Sequence, residues 1–182
     1  MLCRLVLIFL MSVSVLAELP EKLSAGKSLT RDGAVFFTSN NNILRQKDIS
    51  PSLIIAKYDS PYETYSVVML DEHDIGVHIL TLKPGVYFIK AIYTKDQEFG
   101  FRSHDNFKFF FRVIAGQLNY LGRINLNVEQ NMVFNFEVLD HMKDDTNLIY
   151  GLKGGGYTIN KCIMRHGKVP SCSNKGVEYV AT

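Results

Sequence analysis

The residues best suited to chemistry in this chain are Asp140, His141, Asp144 and Asp145. On a helix, Asp140 and Asp144, or His141 and Asp145, share a face, an arrangement open to a divalent cation or a metal-dependent hydrolase. Aspartates are also the residues that a helix N-terminus selects to offset its backbone dipole. A second group, Asp71, Glu72, His73, Asp74 and His78, is looser, because a strand from Ile75 to Leu82 would carry His78 away from the turn that holds the others. His104-Asp105 has no nucleophile beside it. There is no Gly-x-Ser-x-Gly elbow and no His-Glu-x-x-His stretch, and Gly154-Gly155-Gly156 lacks the Lys-Ser/Thr of a phosphate cradle. The sequence therefore assigns no catalytic residue and no cofactor, and Asp140 to Asp145 stands as the alternative metal-binding segment.

Aromatic residues are the other candidates. Tyr62 and Tyr65 beside Pro61, with Phe99 and Phe101 in a polar loop, could form an apolar patch for a protein partner or glycan. The chain has no Trp, so a sugar-stacking platform is the weaker version, and core packing competes with both. A net charge of +2 gives no reason to invoke nucleic acid, and the lysines do not interleave with aromatics along a single groove.

Residues 1–17 precede the fold. Arg4 is followed by the apolar run Leu5 to Met11 and by Val15-Leu16-Ala17, the pattern of a cleaved secretory signal, too short to span a bilayer. The mature chain is expected to be soluble, in the periplasm or the external medium, touching a membrane only through its signal. Cys3 leaves with the signal. Cys162 and Cys172 remain, and an even count in an oxidising compartment predicts one disulfide. Their spacing matches neither a zinc knuckle nor a Cys-x-x-Cys redox motif.

The elements that must position these residues are strands. Residues 18–32 read as a polar leader, followed by strand-length apolar runs at Gly33 to Thr38, Ser52 to Tyr58, Thr64 to Leu70, Ile75 to Leu82 and Val86 to Tyr93. Ser39 to Ser50, with three consecutive asparagines, reads as a polar connection. Thr94 to Asn106 is longer than a hairpin requires and reads as a packed or a binding loop. Phe107 to Ile114 puts Phe107, Phe109, Phe111 and Val113 on a core face. Lys108, Phe110, Arg112 and Ile114 form a half-apolar second face, which suits a central strand with cationic stems lying over its neighbours. Asn119 to Leu126 and Asn131 to Val138 complete the series. Short strands without a helical period between them argue for an antiparallel meander or sandwich over residues 33–139. Residues 140–182 then hold a short helix from Asp140 to Tyr150 and an irregular, basic, disulfide-pinned tail laid against a sheet edge.

At Leu82-Lys83-Pro84-Gly85-Val86-Tyr87, the chain resembles the transthyretin-like and carboxypeptidase-regulatory-like β-sandwiches. With Val113 to Gly122 (VIAGQLNYLG) added, it is similar to a group of small exported bacterial proteins of unknown function. The resemblance covers roughly residues 33–138 and implies an all-β sandwich of about seven to nine strands, no enzymatic activity and no catalytic residues. The expected role is a binding or envelope accessory module, with a homodimer paired through an edge strand as its expected assembly. An inhibitor or immunity-type protein using the loop from Lys161 to Asn174 is an alternative.

Overall fold

A computed structural model describes residues 31–43, 51–69, 75–95, 100–102, 107–128, 134–150 and 159–177. Among these, twelve strands form two sheets. The first holds β1 (Gly33–Ile43), β4 (Gly76–Leu82), β8 (Leu118–Val128), β9 (Phe134–Leu139), β10 (Ile159–Lys161) and β12 (Ser173–Val177), in the order β12-β10-β8-β1-β4 with β9 also on β8. The second holds β2 (Pro51–Lys57), β3 (Ser60–Val68), β5 (Gly85–Lys95), β6 (Gly100–Arg102), β7 (Phe109–Val113) and β11 (Arg165–His166), in the order β11-β7-β5-β2-β3 with β6 on β5. One helix, α1 (Met142–Tyr150), lies on the outer side of the first sheet.

The all-β expectation holds, with three differences. β1 pairs in parallel with β8, and so does β10, so the first sheet is mixed. β1 runs on through Asn40, Asn41 and Asn42, where the sequence predicts a polar connection: their backbone pairs with Asn125, Leu126 and Asn127 of β8, and ladder pairing overrides the weak strand preference of asparagine. The polar loop after Tyr93 likewise begins as a hairpin, in which Gly100 to Arg102 pairs with Tyr93 to Lys95.

The core between the sheets is filled from alternate positions. Val35 and Phe37 of β1, Leu53 and Ile55 of β2, Tyr87 and Ile89 of β5 and Phe111 of β7 are all at most 1% exposed and form one apolar layer. Phe107 and Phe109 pack at the margin of this layer against Phe136, with ring centroids 4.9 and 4.7 Å away.

The described part of the tail, residues 159–177, is more regular than expected and meets both sheets. β10 continues one edge of β8, whose other end is taken by β9, while β11 closes the edge of β7. Cys162 and Cys172 form the expected disulfide, with Cys162 wholly buried in the core.

Where β8 exchanges β10 for β9, its register against β1 slips between Phe36/Tyr120 and Thr38/Arg123. Gly122 sits in this bulge at φ +110°, and a Cβ there would lie 2.6 Å from Val138 Cγ1 and 3.1 Å from the Leu139 carbonyl. The extra residue sends both Tyr120 and Arg123 to the outer side, toward α1. Gly122→Ala is expected to cost about 2–3 kcal/mol from backbone strain and overpacking, measured by urea unfolding.

Candidate functional site

The residues from Asp140 to Asp145 come to different environments. Asp145 is fully buried under α1. Its Oδ2 accepts hydrogen bonds from Thr38 Oγ1 at 2.7 Å and Tyr120 Oη at 2.6 Å, and its Oδ1 accepts from Arg123 Nε at 3.0 Å and from Arg123 Nη2. Tyr120 Oη also accepts from the His141 backbone N–H at 3.1 Å. Burial, and then the bond to Asp145, push the Tyr120 phenol pKa far up, so it remains a donor. This carboxylate docks the helix. Asp140 instead accepts from the Met142 backbone N–H at the helix start and pairs with Lys161. Asp144 is exposed, 3.6 Å from His141 Nδ1. The four do not converge, and no group of three or more His, Cys, Asp or Glu residues able to hold a metal occurs among the described residues.

His78 faces inward from β4, stacked on Phe37 at 4.8 Å with its Nε2 2.7 Å from Ser39 Oγ. Burial pushes its pKa down from 6.5 to about 4. The folded state holds this imidazole neutral while an unfolded chain protonates it at its ordinary pKa. Its contribution to stability is therefore complete above pH 6.5 and is lost as pH falls toward 4. The loss amounts to at most about 3 kcal/mol. His78→Gln removes this part of the acid dependence, and melting of both proteins across that range is the check.

Asp71 to Asp74, Phe99, His104-Asp105, Gly154 to Gly156 and residues 1–17 lie outside the described residues, as does the side chain of Phe101. Of the two tyrosines, Tyr62 is 95% exposed. Tyr65 turns toward the core layer, edge-on to Tyr87 at 6.2 Å, and donates to Glu63 Oε1 at 2.6 Å. Burial and that carboxylate push its pKa up to about 12.

The two outer faces of the sandwich differ. That of the first sheet is covered: Met142 and Ile149 of α1 pack on Ala34, Phe36, Leu118 and Tyr120. That of the second sheet has no covering element among the described residues, yet it is aromatic. Phe88 and Phe110 pack at 5.7 Å with Ala56 and Val86 around them, and Tyr58 stands edge-on to Phe110 at 5.9 Å. Beside this cluster, Ile54, Thr64, Lys90, Ala91 and Tyr93 line a shallow open depression. Tyr58, Tyr62 and Tyr93 are 63%, 95% and 41% exposed.

Cations share this face. Lys108 Nζ lies 5.8 Å above the Phe88 ring. Arg112 is in register with Val86 and Arg165 with Phe110, which puts both exposed arginines on the aromatic side. Lys90 crosses toward β3, where its Nζ donates to the Pro61 carbonyl at 3.4 Å. The nearby carboxylates lie elsewhere. Asp32, Asp59 and Glu63 group round the end of the core layer at Tyr87, where burial and then the surrounding charges raise that phenol's pKa.

Of the aromatic residues singled out in the sequence, Tyr62 is exposed; the rest of this face was not singled out there. The available signal was the half-apolar side of Phe107 to Ile114, read as interior to the sheet; Lys108 does lie over an aromatic neighbour as expected, but nothing described covers the pair. No helix among the described residues is long and apolar enough to cross a membrane. No family model matches the chain, and no curated protein or solved structure matches it either.

Proposed function

We propose that this chain is a non-enzymatic, exported binding module of the periplasm or external medium, working through the outer face of its second sheet. The observation that carries the reading is the contrast between the faces: one is sealed by a helix held through a buried carboxylate, the other leaves three tyrosines exposed beside an aromatic cluster. Exposed aromatics gathered on one face are what an interaction surface needs and an isolated domain avoids. The disulfide and the signal-like residues 1–17 support export. The filled core and the dispersal of Asp140, His141, Asp144 and Asp145 favour binding over hydrolysis.

The test compares the full chain with a Tyr58→Ser/Tyr62→Ser/Tyr93→Ser variant, each immobilised and exposed to envelope fractions of the producing cell. A component retained by the first and lost by the second, with melting unchanged, is expected. Equal retention by both would place recognition elsewhere.

A further inference from the structure

We infer that the uncovered face of the second sheet docks on an anionic phospholipid surface; this rests on reading that face as the binding face and names what it meets. Three observations converge. First, Lys90, Lys108, Arg112 and Arg165 stand on this face, while the exposed carboxylates at the β2–β3 end of the sheet are engaged, Asp59 with Lys57 and Glu63 as acceptor from the Tyr65 hydroxyl. Second, among the described residues the opposite face has Asp140 and Asp145 paired with Lys161 and Arg123, and exposed Glu137 and Asp144 against Lys143. The described residues thus place a cationic excess on the second sheet, and an anionic surface would turn that side toward itself. Third, Tyr58, Tyr62 and Tyr93 present apolar rings with polar tips, the side-chain form that settles at the headgroup boundary, while Lys and Arg reach lipid phosphates.

Shape selects the lipid surface among anionic partners. The depression lined by Ile54, Thr64, Lys90, Ala91 and Tyr93 is open, and the face is the broad side of a sheet, suited to a flat partner rather than an enclosed strand or small ligand. Such docking is peripheral and reversible, since a few cations and tyrosines do not insert a chain as a spanning helix does.

The experiment is co-sedimentation of the full chain with vesicles of phosphatidylglycerol mixed with phosphatidylcholine, and with vesicles of phosphatidylcholine alone. Binding is expected to the first only, weakening as salt is raised. The Lys108→Gln/Arg112→Gln/Arg165→Gln variant should bind more weakly by about 5-fold per cation, about 100-fold in all. These residues are exposed, so its melting should be unchanged, and Lys143→Gln on the helix side should bind as the parent does. No binding, equal binding to both vesicles, or undiminished binding by the triple variant overturns the inference. Retention of polyglutamate or a single-stranded oligonucleotide without retention of vesicles overturns it in favour of an acidic polymer. If vesicle binding fails while tyrosine-dependent capture persists, the binding face stands and only its lipid partner falls; if both fail, the face is no binding site.

Discussion

Replacing Asp145 with alanine is expected to remove about 3–5 kcal/mol of folding stability, the largest effect of any single substitution considered. The carboxylate is fully buried and takes bonds from Thr38, Tyr120 and Arg123. Truncating it leaves a guanidinium only 13% exposed without its counter-charge, and two hydroxyls without their acceptor. A chain of this size should melt about 2–4 °C lower for each kcal/mol lost. Tyr120→Phe removes one donor and leaves the charges paired, so it should cost only about 1–2 kcal/mol. Hydrogen exchange gives the local readout: α1 amides should lose protection first in Asp145→Ala, because Thr38, Tyr120 and Arg123 are the sheet's polar hold on the helix. Melting of Asp145→Ala within about 1 kcal/mol of the parent would show that helix docking rests on Met142 and Ile149 alone.

Cys162→Ala/Cys172→Ala should cost about 2.5–3 kcal/mol, from the loop-closure entropy of a bridge spanning ten positions. Between the cysteines runs β11, the edge partner of β7, and β10 and β12 flank the bridge on the other sheet. The Cys162 N–H donates to the Tyr120 carbonyl at 2.8 Å and that of Met164 to the Leu121 carbonyl at 2.9 Å, so the first half of the tail is also held by hydrogen bonds. From Arg165 onward the hold on β7 is two register pairs and the Gly167 N–H, which donates to the Lys108 carbonyl at 2.9 Å. A two-residue strand of this kind is expected to need the bridge to stay in place. The double variant should therefore expose the amides of β11 and free the edge of β7 while β8 stays protected, an outcome that exchange at Arg165 and His166 separates from general unfolding. Loss of the β7 edge would also move Arg165 off the cationic face, so vesicle binding should weaken together with stability.

Much of the fold was legible along the chain because burial writes a period of two into each strand. Met132 to Val138 alternates on paper, and Phe136 and Val138 pack inward as that pattern requires, with Asn135 and Glu137 exposed. The helix after Leu139 and the cysteine pair were equally plain, since a capping aspartate and an even cysteine count act locally or by simple arithmetic. The parallel pairing of β1 with β8 was not legible, because partner choice is made between residues far apart in the chain. The role of Asp145 was hidden for the same reason: its neighbours Thr38, Tyr120 and Arg123 come from two distant strands, and a bulge at Gly122 decides which way one of them faces.

The amino-acid order by itself determined that this chain makes strands, a short helix and a disulfide, for these follow from side-chain alternation, capping and cysteine count. Only the tertiary structure decided which outer face the helix seals and which has no covering element among the described residues. Lys108, Arg112 and Arg165 are scattered among apolar residues in sequence, and their charge is nearly cancelled in the total; strand register sets them on one side with Tyr58, Phe88 and Phe110. Register is a property of paired chains, and no single stretch of sequence contains it.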